Sequence, residues 1–224
     1  MKRRMRFATF WVSSIIFMLP AVVLADLPRP IPAAAVDLSG LLHAFAKAPG
    51  LFARFHEEKH IALLTQPLLS SGQIFYAPQG LLARHTLKPE LNVLVVEPNR
   101  VRAFDGKHWE NMDLNGKPVV RLFVESFVRI LQGDAEALRK LYDLDFKSDP
   151  KTPGRWTLRL KPKIAPMNKV IERMELRGAG LVLQQMQVFE VGGDDTLTEF
   201  RDVDLKRSYT DAEKTKWFYQ PAGK

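Results

Sequence analysis

The sequence predicts an α+β protein dominated by β-structure, with about ten or eleven antiparallel strands in two groups. Three observations carry this. Short runs of β-branched and aromatic residues alternate with Pro and Gly corners from Ser70 to Pro98, and the β-pattern resumes from Tyr142 to Leu205. Helical spacing of apolar residues appears once before the first group and twice between the two groups. A chain of 224 residues with 46% hydrophobic residues is long enough to bury a core of that kind.

The N-terminus alters the charge balance of the remainder. Lys2, Arg3, Arg4 and Arg6 precede an apolar run from Phe7 to Leu24, and Val23-Leu24-Ala25 offers a cleavage site before Asp26. That is the order of a secretory signal peptide, predicted over residues 1–25. The alternative is an uncleaved anchor, since the run is near the lower length of a membrane span. Pro20, Ala25 and the three prolines of Leu27–Pro32 favour cleavage. Removing four basic and no acidic residues takes the formal charge from +8 to +4. A mildly basic exported protein without a base-reading motif is not a nucleic-acid binder. Cysteine is absent, so no disulfide supports the core and no thiol can carry a lipid anchor. The mature protein is therefore expected to be soluble in the periplasm, with a core large enough alone.

A stiff Pro-rich linker is expected over residues 26–35, followed by one domain over residues 36–221. Val36, Leu38, Leu41, Leu42, Phe45 and Ala46 predict a helix from about Ala33 to Lys47, with Asp37 or Ser39 near its start and Pro49-Gly50 ending it. Leu51–Lys59 reads as the first strand and Ile61–Leu69 as an apolar connection. The meander follows: a strand opened by Ser70-Ser71-Gly72, a corner at Pro78–Gly80, a strand at Leu81–Leu87, a turn at Lys88-Pro89, and a run at Leu91–Val96. Arg100–Phe104 and Lys107–Leu114 flank Asp105-Gly106, a hairpin signal, and Asn115-Gly116 turns again. The period then becomes helical through Val119, Val120, Leu122, Phe123, Phe127, Ile130 and Leu131, up to Gly133. A short helix from Asp134 to Leu141 begins on an Asp cap. Strands follow at Tyr142–Phe146, Trp156–Leu160, Val170–Leu176, Leu181–Val191 and Leu197–Leu205, and the tail Lys216–Pro221 is short and aromatic.

Phe52-x-x-Phe55-x-x-Glu58-Lys59, Ser71-Gly72-x-Ile74-x-Tyr76-x-Pro78, Lys88-Pro89-Glu90 and Arg102–Gly106 resemble the outer-membrane lipoprotein carrier family (LolA-like). Met174-Glu175-Leu176 followed by Leu183-Gln184-Gln185-Met186 resembles its later paired strands, so the likeness covers about Asp37 to Pro221. The resemblance implies an unclosed, strongly curved antiparallel β-barrel with an N-terminal helix and two lid helices. Its apolar interior would take the acyl chains of lipoproteins released from the inner membrane. The family commonly has an arginine before the proline that ends the second strand, tied to lid opening. Here that residue is Ala77, and Arg84 lies on the next strand without matching the motif.

Several constellations compete with that reading. His56-Glu57-Glu58-Lys59-His60 spells H-E-x-x-H, whose zinc chemistry needs both histidines on one helical face and a third ligand, for which His85 or His108 would serve. The flanking pattern favours extended chain, where positions i and i+4 stand too far apart to chelate one ion. No Gly-x-Ser-x-Gly elbow or phosphate loop is present. Asp143/Asp145 and Glu172/Glu175 read as solvated strand faces, and Gly192–Asp195 as a hairpin turn rather than a calcium loop. Arg121, Glu125 and Arg129 lie opposite the apolar face of the long helix, which is either ordinary core or a lid. Phe52, Phe55, Ile74, Tyr76, Leu82, Leu94, Val96, Phe104, Trp109, Leu122, Phe123, Phe127, Ile130, Leu131, Trp156 and Leu158 are the candidate cavity and lid residues.

The function expected from the resemblance is a periplasmic carrier of acylated lipoproteins or a related lipid, acting between an inner-membrane donor complex and an outer-membrane acceptor. It would be a monomer and would use no cofactor, metal or catalytic residue. Lys88, Arg100 and Arg102 are candidates to meet anionic membranes or partner proteins, with solvated surface as the favoured reading. A lipid-sensing or regulatory module of the same fold, which binds without handing on, is the alternative, and a zinc hydrolase using His56 and His60 the third class.

Overall fold

Asp37 starts the first helix: its carboxylate accepts the Gly40 N–H at 2.6 Å, satisfying a donor the helix leaves free. The helix, α1 (Leu38–Ala46), buries Leu41, Leu42 and Phe45. In this computed structural model, residues 37–98, 100–112 and 118–219 are described. The expected signal peptide, linker, first residues of the helix and Asn115-Gly116 turn lie outside them. The described residues fall within one compact unit, Pro32–Lys224.

Six strands follow α1: β1 (Leu51–His60), β2 (Leu68–Ala77), β3 (Leu81–Lys88), β4 (Asn92–Glu97), β5 (Arg100–Phe104) and β6 (Trp109–Met112). Then come α2 (Pro118–Leu131) and α3 (Ala135–Leu141), the latter capped by Asp134, whose carboxylate accepts the Ala137 N–H at 3.0 Å. The second group is β7 (Tyr142–Ser148), β8 (Arg155–Pro162), a short α4 (Met167–Val170), β9 (Ile171–Ala179), β10 (Val182–Glu190) and β11 (Asp195–Asp204). A capped turn of helix, α5 (Asp211–Lys214), runs into a π-helical turn at Thr215–Tyr219.

All eleven strands form one antiparallel sheet in the order β6-β5-β4-β3-β2-β1-β11-β10-β9-β8-β7. β6 and β7 stand at its two edges without pairing to each other, so the sheet is not closed. The fold is the mainly β, unclosed architecture expected from the sequence, with helices before the first strands and between the two groups. Register places the β1–β2, β3–β4, β5–β6, β8–β9 and β10–β11 connections at one end of the sheet. The β2–β3, β4–β5, β7–β8 and β9–β10 connections lie at the other.

Successive strand residues point to opposite faces, and both faces of the first half are covered. On β2, Ile74 and Tyr76 join the cluster beneath α2, whereas Phe75 and Ala77 join a second cluster on the outer face. That outer cluster, with Val93, Val95 and Phe104, is roofed by the C-terminal segment. Phe218 is fully buried, and Trp217 stacks on Phe75 with ring centres 4.7 Å apart. The His85 Nε2–H donates to Trp217 O at 2.6 Å, the Arg102 guanidinium to Phe218 O at 2.9 Å, and the Tyr209 hydroxyl to Leu51 O at 2.7 Å. Arg102 also pairs with Glu97 at 2.7 Å, so this expected surface cation is held under the segment.

Burial pushes the His85 imidazole below its ordinary value, the bond to Trp217 O opposing this only in part. The folded protein therefore holds His85 neutral where the unfolded chain takes up a proton. As pH falls below about 6.5, stability should fall by up to about 1.4 kcal/mol per pH unit until the native value is reached. Chemical denaturation between pH 8 and pH 5 checks this against His85→Gln, which keeps a donor but does not titrate. A wild-type slope equal to that of the variant would assign the pH dependence to other groups.

The outer face of the second half is polar. Glu175 is buried there and accepts from Arg159 at 3.2 Å, Arg173 at 3.1 Å and Arg177 at 2.6 Å. Burial alone would raise its pKa, but the three guanidinium groups win and hold it below the usual carboxylate value. This corrects the reading of Glu175 as a solvated strand residue; Glu172, Asp143 and Asp145 are exposed as expected.

Candidate functional site

The helix α2 lies between the two halves of the sheet on its inner face. Val124, Phe127, Val128 and Leu131 repeat at i, i+3, i+4 and i+7, and this stripe packs on Phe55, Ile74, Tyr76, Leu82, Val96 and Val101. Leu122, Phe123 and Ile130 turn toward the other half, where Trp156, Leu158, Leu160, Met174, Leu176, Met186 and Val188 form one cluster with α1 and α3. Phe127 belongs to both contact sets. Arg121 and Glu125 face outward, and Arg129 pairs with Asp134 at 3.2 Å. Ser126, buried on the inner side, sets its hydroxyl 2.6 Å from that of Tyr142, which fastens the helix to β7.

Close approach shapes the floor on the far side. Gly178 leaves room for the Trp156 indole, whose Cε2 would stand 2.7 Å from any Cβ added there. The indole N–H donates to Gly180 O at 2.8 Å. Beyond Phe55 the floor turns polar. Glu57 accepts from Arg84 at 2.8 Å, Ser70 at 3.2 Å and Thr198 at 3.0 Å, and the Arg84 guanidinium lies 4.3 Å above the Phe55 ring. Beside α2 a cleft of about 550 Å³ opens, with Val96, Val101, Met112, Val124 and Val128 among its walls and Arg100, Arg121 and Arg129 at its rim. A second cleft, about 570 Å³, has a mixed lining in the other half, with Arg155, Arg177 and Arg201 beside Asp149 and Glu199 and with Trp156 and Phe200.

Thirteen of the sixteen candidate residues come together on the inner face: Phe55, Ile74, Tyr76, Leu82, Leu94, Val96, Leu122, Phe123, Phe127, Ile130, Leu131, Trp156 and Leu158. Phe52, Phe104 and Trp109 do not join them. They pack on the outer face under the C-terminal segment. Ala77 is buried on that outer face too, pointing away from α2. Arg84 points inward but spends its charge on Glu57, with no bond to a helix among the described residues. Sequence reasoning missed the Glu57–Arg84–Ser70–Thr198 group, although alternation from Phe55 puts Glu57 on the inner face. The H-E-x-x-H motif lies on β1, where Glu57 faces inward while His56 and His60 face outward beside Glu58 and Asp195. It lacks the helical geometry that zinc hydrolysis requires.

A family model described as outer membrane lipoprotein carrier protein LolA-like matches residues 30–202, most of the chain. The chain belongs to the LolA-like family. Proteins of this family are periplasmic binding proteins, and among the described residues of this LolA-like chain no helix is long and apolar enough to cross a membrane. Solved structures with similar backbones include a LolA superfamily protein from Nitrosomonas europaea, at 10% identity and TM-score 0.40, covering 80% of this chain and 97% of that one. A DUF1329 family protein from Desulfovibrio piger matches at 10% identity and TM-score 0.48, covering 79% and 93%. The MucA/MucB complex of Pseudomonas aeruginosa matches at 15% identity and TM-score 0.46, covering 79% of this chain and 60% of the matched one. The comparison with curated proteins gives no match.

Proposed function

We propose that the protein carries the acyl chains of lipoproteins, or of a related lipid, across the periplasm between an inner-membrane donor complex and an outer-membrane acceptor, beneath α2. In this reading residues 1–25 are removed on export, 26–35 form a linker, and 36–221 act as one monomeric domain without a cofactor or chemistry of its own. The observation that supports it best is Phe127, which packs on both halves of the inner face at once. Lifting one helix would therefore join two apolar surfaces into a single trough, and the cleft beside Val124 and Val128 marks where that separation would begin.

The energetics suit a carrier. An acyl chain gains about 0.8 kcal/mol per buried CH₂. The chain must displace Leu122, Phe123, Phe127 and their neighbours from the same floor, each contributing about 1.5–3 kcal/mol when fully buried. Cargo and helix compete for one surface, so affinity stays moderate and release remains possible. The test is native mass spectrometry with lipid extraction on protein recovered from the periplasm, beside uptake of an offered lipopeptide. Phe127→Asp is expected to reduce uptake at least tenfold while the far-ultraviolet circular dichroism stays native. Uptake unchanged in that variant, or none in the wild type, would make the interior a filled core. Transfer of a loaded lipopeptide to acceptor membranes separates a carrier from a module that only binds.

A further inference from the structure

Among the described residues, most of the large exposed apolar side chains stand on one rim of the sheet. Of the twelve most exposed large apolar side chains among the described residues, eight lie at the sheet end that carries the β1–β2 connection. Leu63 is 94% exposed at the tip of that connection, with Leu64 beside it and Leu68 and Leu69 where β2 begins. Leu87, at the end of β3, stands next to them. Ile164 and Val170 belong to the β8–β9 connection and Val191 to the β10–β11 turn, which is tied to it by the Val191 N–H donating to Val170 O at 2.9 Å. Solvent-facing loop tips are ordinarily polar, so large apolar tips on three separate connections mark an interaction site.

The charges on the same rim point to the kind of partner. Most of its carboxylates are engaged within the protein, whereas Glu90, two residues from Lys88, is exposed and forms no ion pair among the described residues. Glu190 pairs with Lys59 at 3.2 Å, Asp195 with His60 at 3.4 Å, and Asp194 accepts the Ala62 N–H at 2.9 Å. Asp105 accepts the N–H groups of Lys107 and His108 at 2.8 and 2.7 Å. Lys88, Lys107 and Lys169 are exposed and form no ion pair among the described residues. Leucine tips surrounded by unpaired lysines suit the headgroup boundary of an anionic bilayer: the leucines enter the acyl layer while the lysines keep their ammonium groups at the phosphates. A protein partner would need one continuous complementary patch, whereas a fluid bilayer accepts separate protrusions.

We infer that this rim, led by Leu63 and Leu64, is a docking surface for an anionic phospholipid bilayer. The inference goes beyond the carrier reading and does not need the trough, since none of its exposed apolar residues belongs to the two clusters that α2 covers. Flotation of the protein, recovered from the periplasm of cells expressing the full chain, with phosphatidylethanolamine–phosphatidylglycerol vesicles tests it. The wild type should float with the vesicles, and L63D/L64D should lose at least tenfold in partitioning while taking up a lipopeptide in solution as before. K88Q/K169Q should weaken flotation severalfold at low salt and remove most of its salt dependence. Phe127→Asp separates the two readings, because it should lose uptake and keep flotation. Failure of the wild type to float, or flotation of L63D/L64D equal to wild type, would overturn the assignment. So would concentration-dependent dimers in the absence of lipid that the leucine changes abolish, which would give the rim to a second copy of this chain.

Discussion

Gly72→Ala is expected to destabilise the protein by roughly 3 kcal/mol or more, above the usual range for overpacking. A Cβ at this position would overlap His85 O, and would stand 2.9 Å from both His85 C and the Phe55 ring. A flexible side chain could yield to such a contact; the backbone of β3 cannot without leaving β2. The pairing shifts register between Ser71 and Gly72, so the missing side chain is what lets the two strands close at the irregularity. Separation would cost ladder hydrogen bonds of about 1 kcal/mol each. It would also disturb Arg84 on the inner face and His85 on the outer. Gly192→Ala is the control, because nothing lies within 4 Å of a Cβ there. Urea denaturation should show a large shift in midpoint for Gly72→Ala and almost none for Gly192→Ala; equal midpoints would remove Gly72 from this role.

Phe218→Ala should release the C-terminal segment. Its ring is fully buried against Phe75, with which it makes an edge contact at 6.4 Å, and against Tyr209 at 5.6 Å. Truncating a buried phenylalanine costs about 3–5 kcal/mol. The remaining anchors, the carbonyl bonds from His85 and Arg102 and the Trp217 stack, are too few to hold five residues in place against that loss. The expected result is fast amide exchange over residues 215–219 with the sheet still protected, and a shift of Trp217 fluorescence toward that of an exposed indole. The exposed face, built on Phe75, Val93 and Val95, should then drive self-association at higher concentration. Protection of the segment equal to wild type would show that Phe218 is not its anchor.

Elements with clean period and punctuation were legible. Asp134 caps α3, Asp105-Gly106 closes a hairpin, and Trp156, Leu158 and Leu160 face one way as their alternation predicts. The faces of the first six strands were not. Alternation identifies a buried side only when the other side is wet, and the central residues of β2 to β5 are buried on both faces. Phe52, Phe104 and Trp109 therefore looked like cavity residues although they serve the outer cluster. What decides the matter is the tail, more than a hundred residues later, and nothing local in Thr215–Tyr219 names its partner. The short α4 was missed for a similar reason: four residues between Pro166 and β9 carry no period. Glu175 misled because strand spacing says which side a carboxylate points to, and three arginines on neighbouring positions become visible only once the pairing is known.

The seam between β1 and β11 has a consequence for how the chain acquires its shape. Every other neighbour in the sheet is also the next strand in the chain, except that β6 and β7 stand at opposite edges. The topology is that of a simple meander whose run begins in the middle. Five pairings on one side and four on the other involve short sequence separations and can form early, each half by itself. The central pairing alone closes a loop of well over a hundred residues, so its entropy cost falls on a single late event. Until that event each half shows one free strand edge, that of β1 or of β11, to its surroundings, and this is the interval in which the protein is open to wrong partners.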